Sequence, residues 1–299
     1  MKSTNSPAKL ALFLCLLCLP VIYSPVWASH FANLKGNPGL KSASAVVVDA
    51  DGKLIYGKDI DTVRPIASVT KLMTAMTLID SGVDLTEKIT VSKEDRDLVQ
   101  LTGSRLEYGA SLSRREMILI AVMASENRAA TVLGRTFPGG MSAFVAAMNA
   151  KARELGMVHS NFADPAGLHV ENQASASDLA KMVSAAYEYP LIREASTNTY
   201  LEVRPYRGRG PLVYGNTNRL LLNKKWDISV SKTGYIMEAG RCLVMQAKIE
   251  GESVFIVLLN SYGKLTPFGD SNRLRNWMLK KKANSISRDD SARPQRPEY

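Results

Sequence analysis

Short apolar runs occur in pairs near the two ends of the chain. Residues 45–48 and 54–56 flank a polar segment that contains Gly52, which is the pattern of a β-hairpin. Residues 242–245 and 254–259 flank a second polar segment around Gly251, and residues 228–231 form another short run before that pair. The pattern therefore predicts β-strands at both ends of the chain.

The middle of the chain has helical periodicity. Apolar residues recur every three or four positions over residues 68–80, and the segment ends at Gly82. Residues 117–124 are apolar on all sides, which is typical of a helix buried in a core. Further helices are predicted over three segments: residues 142–155, 177–187 and 271–282.

This order of elements indicates an α+β fold. Strands at both ends with helices between them favour an antiparallel sheet formed by both termini, flanked by helices and interrupted by a helical insertion. An alternating βαβ arrangement with a parallel sheet is not favoured.

The N-terminal segment has the pattern of a secretory signal. Two lysines precede an apolar run, and Ala28 follows where a signal peptidase would cut. We therefore expect residues 1–28 to be a cleaved signal peptide and the protein to reside in the periplasm. An uncleaved anchor is the alternative, although Pro20 interrupts the run.

The rest of the chain is predicted to form one domain. We expect residues 29–42 to be a polar lead-in, residues 43–282 to form the catalytic domain, and residues 283–299 to be a disordered polar tail. The 299 residues are 45% hydrophobic and 22% charged, which excludes collagen, coiled coil and general disorder.

The few cysteines and histidines restrict the kinds of disulfide and metal site that the chain can form. Two of the three cysteines lie in the expected signal, so Cys242 alone remains and an internal disulfide is excluded. The three histidines stand at no spacing typical of metal ligands. We expect neither a metal nor a cofactor.

The net charge is +10, and loss of the two lysines of the signal lowers it to +8. The basic residues are scattered and no basic motif is interleaved with aromatic residues, so we expect no nucleic-acid partner. The positive charge and the expected export favour an envelope polymer as the partner, or an anionic membrane surface to which the protein binds only loosely.

Ser68 begins a candidate catalytic motif, S-x-x-K, with Lys71. The same pattern begins at Ser6, Ser229 and Ser261, but these lie in the signal or in strand segments. At a helix start, residues three apart share a face, so the Lys71 amine can lie beside the Ser68 hydroxyl. From these residues alone, a helix-capping serine and a solvated lysine remain the alternative.

Two further motifs follow in order. S-x-N begins at Ser125, directly after the apolar helix, and K-T-G begins at Lys232, before the terminal strand pair. Together the three motifs resemble those of the penicillin-binding proteins and serine β-lactamases. Glu126 stands where that family often has aspartate.

The resemblance implies the penicillin-binding protein/serine β-lactamase-like fold and an acyl-enzyme mechanism. Ser68 would be the nucleophile and Lys71 its base, with a pKa lowered by burial and by the nearby positive charge of Lys232. Ser125 would bridge the two lysines and protonate the leaving amine.

The resemblance also implies a set of substrate contacts. Asn127 would bond Lys71 and the substrate amide, and Lys232 and Thr233 would bind a substrate carboxylate. Gly234 would keep the strand bare so that the peptide can lie along it. The amides of Ser68 and Tyr235 would form the oxyanion hole.

Longer segments narrow the resemblance to low-mass D,D-peptidases. Residues 162–168 are similar to low-mass D,D-peptidases in general. Four segments are similar to murein D,D-endopeptidases of the penicillin-binding protein 7 type: residues 124–130, 138–140, 146–152 and 216–218. This implies hydrolysis of D-alanyl-meso-diaminopimelyl crosslinks between peptidoglycan stem peptides, and covalent inhibition by β-lactams.

Three alternatives stay open. One is a D-alanyl-D-alanine carboxypeptidase, whose relatives carry a further β-rich domain, whereas only a short polar segment follows the last predicted helix here. The second is a β-lactamase; class A enzymes use a glutamate presented by a loop with the pattern E-x-x-x-N, whereas Glu171 is followed at once by Asn172. The third is a non-catalytic penicillin-binding sensor.

Overall fold

The computed structural model describes Phe31 and residues 34–292, with side chains through Lys280. The expected signal, residues 1–28, and the last residues of the expected tail, 293–299, lie outside the described residues. In the described part, no helix has an apolar stretch long enough to cross a bilayer.

The strands are β1 Ser44–Asp49, β2 Leu54–Lys58, β3 Arg64–Pro65, β4 Lys88–Thr90, β5 Ser111–Ser113, β6 Ser160–Asn161, β7 Gln173–Ala174, β8 Tyr200–Val203, β9 Leu212–Gly215, β10 Asp227–Ile236, β11 Gly240–Ile249 and β12 Glu252–Ser261. The helices are α1 Thr70–Asp80, α2 Arg114–Met123, α3 Asn127–Arg135, α4 Gly140–Glu154, α5 Ala176–Tyr187, α6 Pro190–Thr197 and α7 Thr266–Ala292.

Strands from both ends of the chain form one antiparallel sheet, as predicted. Its order is β10-β11-β12-β1-β2, and β1 pairs with β12 so that Val46 lies opposite Val257. Strand β1 is buried throughout, because side chains on both of its faces meet a core. Val46 belongs to the helical core on one face, and Val47 belongs to the core on the other.

The helical layer is built around α1, which packs against α2, α3, α4, α5 and α6. This helix is buried from Thr70 to Leu78, so it lies at the centre of the helical layer. Helix α2 begins at a capping box in which Ser113 and Glu116 bond each other's backbone amides.

Helix α7 covers the opposite face of the sheet, where Trp277 contributes to the second core. Phe31 and Leu40 are buried in that core too, so the expected polar lead-in also supplies core residues. The Ser42 amide and hydroxyl donate to the buried Asp270 carboxylate of α7, at 2.7 and 2.6 Å, which ties this segment to the domain.

Several boundaries differ from the prediction. Helix α6 begins at Pro190, where the pattern suggested only a stop, because proline is tolerated in the first turn of a helix. Helix α7 begins before residue 271 and runs past the expected end at Lys282 to Ala292. Residues 283–292 are thus helical rather than disordered, and no glycine or proline occurs there to end the helix.

A loop between β6 and β7 packs against the turn that precedes α1. The Asp164 carboxylate organises this loop by accepting hydrogen bonds from four backbone amides and one side-chain amide (Ala166, Gly167, Leu168, His169 and Asn172). Gly167 has a φ of +76°, and a Cβ atom there would lie 2.0 Å from the carbonyl oxygen of Ala67. The close approach of the two segments therefore requires glycine.

We predict that Gly167→Ala destabilises the fold strongly, by about 3 kcal/mol, since backbone must shift to relieve the contact. Gly208→Ala is the matched control: Gly208 has a φ of +70°, but an added Cβ would meet nothing within 4 Å. The control should cost only about 1 to 2 kcal/mol for the left-handed conformation. Urea unfolding measures both, and equal losses would contradict the role of this contact.

Candidate active site

Ser68 lies in a 3₁₀ turn, Ala67–Val69, that leads directly into α1. The turn is held between two segments: the Ile66 amide donates to the carbonyl of Asn172 at 3.0 Å, and β10 packs on its other side. Ala67 has a φ of +48°, a sparsely populated conformation for a residue with a side chain. The partly exposed Ser68 side chain thereby faces a cleft.

The Lys71 amine is enclosed behind Ser68, since its residue is 0% exposed. Its Nζ lies 2.8 Å from Ser68 Oγ, 2.7 Å from Asn127 Oδ1 and 2.6 Å from the carbonyl oxygen of Ala166. A neutral amine has two hydrogens and one lone pair. The two carbonyl oxygens can only accept, so they take both hydrogens and leave the lone pair for the Ser68 hydroxyl.

Burial lowers the pKa of Lys71 to about 7, and the carboxylates of Asp164, Glu126 and Asp97 oppose this effect only in part. A large share of the lysine is therefore neutral near pH 7. This agrees with the base role that the motif implies for Lys71, and burial is the main cause.

Ser125 and Asn127 lie where α2 turns into α3. Ser125 has a φ of +61°, which reverses the chain between the two helices and directs both side chains into the cleft that Ser68 lines. The Ser125 hydroxyl makes no hydrogen bond to any described residue. The expected bridge from Ser125 to Lys71 and Lys232 is therefore not formed in this structure.

Glu126, the departure from the family motif, caps α3. Its carboxylate accepts from the Arg128 amide at 3.2 Å and from the Ser104 hydroxyl at 2.7 Å. Because the longer Glu126 side chain reaches the Arg128 amide, the first turn of α3 keeps a side-chain cap.

Asn127 is held on both sides of its amide group. Its Oδ1 accepts from Lys71, as the motif implies, and its Nδ2 donates to Thr102 Oγ1 at 2.8 Å. Thr102 Oγ1 in turn donates to Asp97 Oδ2 at 2.6 Å. Neither Thr102 nor Asp97 carries a sequence signal that would have identified it.

The K-T-G residues lie on β10, an edge strand of the sheet. Lys232 is only 1% exposed and donates to the carbonyl oxygen of Thr233 at 2.8 Å, so its charge does not reach the cleft as expected. Burial, together with the positive charge of Lys71, holds the pKa of Lys232 well below its usual value. Thr233 does line the cleft, and its hydroxyl bonds that of Thr217 at 2.7 Å.

Gly234 is required by the packing of β10 against the serine turn. A Cβ atom there would lie 2.9 Å from the carbonyl oxygen of Ile66 and 3.1 Å from the Ser68 nitrogen. The expected reason was a bare strand for the peptide, whereas the nearest obstacle is the protein's own turn.

The cleft in front of Ser68 has a volume of about 370 Å³ and a basic lining. Arg219, Arg241 and Lys264 line it, and no acidic side chain does so in the described part of the chain. Arg241 stacks on the ring of Tyr235, 3.6 Å from its centroid, and none of the three cations forms an ion pair with a described residue. No sequence pattern predicts these cations, because they are distant from one another along the chain and have no characteristic spacing.

The arrangement is suited to nucleophilic chemistry on an anionic substrate. It joins a hydroxyl, a largely neutral amine beside it and a cationic cleft around them. Among the described residues, no three side chains of the metal-ligating types converge on one point.

Comparisons with known proteins agree with this geometry. The family model described as D-alanyl-D-alanine carboxypeptidase matches residues 32–263. A D-alanyl-D-alanine endopeptidase from Pseudomonas aeruginosa is 43% identical over 83% of this chain and 80% of its own length. A D-alanyl-D-alanine endopeptidase from Escherichia coli K12 is 40% identical over 90% of this chain and 88% of its own length.

Solved structures show the same fold. The DD-transpeptidase of Streptomyces K15 superimposes with a TM-score of 0.76, at 24% identity, over 82% of this chain and 100% of that one. The expected penicillin-binding protein-like fold is thereby confirmed. The family match and the two relatives establish that the chain belongs to the D-alanyl-D-alanine carboxypeptidase family of serine peptidases.

Proposed function

We propose that this protein is a serine D,D-endopeptidase that hydrolyses D-alanyl-meso-diaminopimelyl crosslinks in peptidoglycan. The observation that carries the proposal is the 2.8 Å contact between Ser68 Oγ and the enclosed Lys71 amine, whose pKa is about 7. A base must be unprotonated near the working pH and must touch the proton that it removes. Lys71 meets both conditions.

In the acylation step, Lys71 Nζ takes the proton of Ser68 while Oγ attacks the carbonyl carbon of the D-alanyl residue. The backbone amides of Ser68 and Tyr235 would stabilise the oxyanion. The C–N bond of the crosslink then breaks, and the leaving amine takes up the proton held by Lys71. Ser125, whose hydroxyl is free of other described partners and lines the cleft, is the group that relays this proton.

Deacylation uses the same base. A water molecule gives a proton to Lys71 as its oxygen attacks the ester carbon, and the C–O bond to Ser68 breaks with return of the proton to Oγ. No glutamate is needed for this step. Asp164 and Glu126 are the carboxylates that most raise the pKa of Lys71. Both are occupied with loop and helix-capping hydrogen bonds, which argues against a β-lactamase.

Two features support a crosslinked substrate. The edge strand β10 can take an added peptide strand along its free side. The cations Arg219, Arg241 and Lys264 suit a leaving group with several carboxylates, as a diaminopimelyl stem peptide has and a single D-alanine has not. The relatives at 40% and 43% identity are named endopeptidases, which supports the same choice.

A D-alanyl-D-alanine carboxypeptidase is the second candidate. A relative with that name, from Bacillus subtilis, is 33% identical over 70% of this chain and 54% of its own length. Both activities attack the carbonyl of a D-alanine, so the Ser68 and Lys71 geometry serves either.

The proposed setting is the periplasm. Residues 1–28 have the pattern of a cleaved signal, and the positive charge suits loose attachment to the envelope. β-Lactams would acylate Ser68 as analogues of the D-alanyl peptide. Cell fractionation with and without high salt tests the location, and a salt-resistant membrane fraction would contradict loose attachment.

The nucleophile is tested with Ser68→Ala. We expect this variant to lose peptidase activity and labelling by fluorescent penicillin while its thermal unfolding stays cooperative, because Ser68 is the only described residue whose hydroxyl hydrogen-bonds the Lys71 amine. Ser229→Ala is the matched control, since Ser229 also begins an S-x-x-K pattern. Labelling that persists in Ser68→Ala, or disappears in Ser229→Ala, would reject the assignment.

The base is tested by pH and by Lys71→Arg. Because Lys71 must be neutral, the acylation rate should rise with pH through a midpoint near 7. Lys71→Arg keeps the charge but cannot act as a base, so acylation should fall about 100-fold or more. Lys53→Arg, in an exposed turn, should acylate normally, and a normal rate in Lys71→Arg would move the base role elsewhere.

The substrate is tested by a rate comparison at equal concentration. We expect the purified D-alanyl-meso-diaminopimelyl dimer to be cleaved faster than a terminal D-alanine is released from monomeric pentapeptide. Chromatography of the products measures both rates, with Ser68→Ala as the blank. The reverse order would make the protein a carboxypeptidase.

A further inference from the structure

Each of the two carbonyl groups that bind the Lys71 amine is braced by a loop organised around an aspartate. The Ala166 carbonyl belongs to the loop that Asp164 holds. Asn127 Oδ1 is connected through Thr102 to a second loop, which Asp97 holds. The Asp97 carboxylate accepts hydrogen bonds from the backbone amides of Val99, Gln100 and Thr102. It also accepts one from the Thr102 hydroxyl.

The direction of each hydrogen bond in this chain follows from chemistry. An ionised Asp97 carboxylate can only accept hydrogen bonds, so the Thr102 hydroxyl donates its single hydrogen to it. The hydroxyl oxygen can then only accept from Asn127, which requires that the amide nitrogen face Thr102. The amide oxygen is left to face Lys71, 2.7 Å away.

The opposite orientation of the Asn127 amide would prevent Lys71 from acting as the base. An NH₂ group facing Lys71 would compete with the Ser68 hydroxyl for the single lone pair of the neutral amine. Nothing in the contact between Asn127 and Lys71 alone forbids this, because a neutral amine can also accept a hydrogen bond.

We propose that Thr102, oriented by Asp97, is a positioning residue that selects the amide orientation of Asn127 and so directs the lone pair of Lys71 at Ser68. This inference rests on the base role of Lys71 in the proposed function. It adds a requirement that none of the three family motifs contains. Asp97 also contributes negative charge to Lys71, alongside Asp164 and Glu126, and the charge of Lys71 acts in turn on the buried Lys232.

The test is Thr102→Val, which keeps the shape of the side chain and removes its oxygen. We expect the second-order rate of acylation by fluorescent penicillin to fall about tenfold at the high-pH plateau. Thr102→Ser keeps the hydroxyl and should stay within about twofold of the wild type. Thr86→Val is the matched control, because the exposed Thr86 hydroxyl also bonds an aspartate, Asp84, at 2.7 Å and has no connection to the site.

The pH profile separates positioning from structural damage. A flipped Asn127 amide removes an acceptor from the protonated amine, so the midpoint of the acylation profile in Thr102→Val should move to lower pH. Opening of the loop to water would relieve the burial of Lys71 instead and move the midpoint upward. An upward shift would therefore overturn the inference.

A double-mutant cycle gives a second measurement, independent of the valine side chain. In an Asn127→Ala background, neither Thr102→Val nor Thr102→Ala should slow acylation further, because Thr102 acts through the amide that is already absent. Additive losses would overturn the inference. A wild type that penicillin fails to acylate would reject the proposed function itself, whereas equal rates in the wild type and Thr102→Val reject only the role of Thr102.

Discussion

The enclosure of a single amine, that of Lys71, is the constraint on which the rest of the site depends. In water a lysine is protonated and has no lone pair to offer a serine. Burial removes that hydration and lowers the pKa of Lys71 to about 7, but a buried polar group also needs partners. The Ala166 carbonyl and Asn127 Oδ1 satisfy the two hydrogens, so that the partners that make burial tolerable also direct the remaining lone pair at Ser68.

Close packing around this amine explains why the catalytic turn lies between two glycines. Gly167 brings the Ala166 carbonyl up to Lys71 from one side, and Gly234 brings β10 up to Ser68 from the other. A methyl group at either position would collide with backbone of the serine turn. The sheet formed by both chain ends, the insertion loop and α1 therefore meet at one point, and the positive φ angles of Ala67 and Ser125 are the strain that the fold accommodates there.

Much of this was predictable from local pattern, and what was missed was non-local. Strands β1 and β12 contain continuous apolar runs, and Ser68 and Lys71 are neighbours on one turn, so local sequence pattern predicts all of them. Helix α3 is short and begins with polar residues, and the end of α7 is largely polar, so neither has the long apolar pattern from which a helix is predicted. Arg219, Arg241, Thr102 and the Ala166 carbonyl reach the site through folding, and no spacing in the sequence connects them to Ser68.

The buried position of Lys232 changes which residues can bind the substrate carboxylate. The motif suggested a cation for the substrate carboxylate, but Lys232 is buried beside Lys71 and donates to its own strand. Burial and the positive charge of Lys71 both lower the pKa of Lys232 and so disfavour its charged form. In the proposed function, recognition of the substrate carboxylate then falls to Thr233 and to the cations of the cleft. The Lys71 amine hydrogen-bonds none of these residues, so a substitution among them would change substrate binding while the chemistry at Ser68 stays the same.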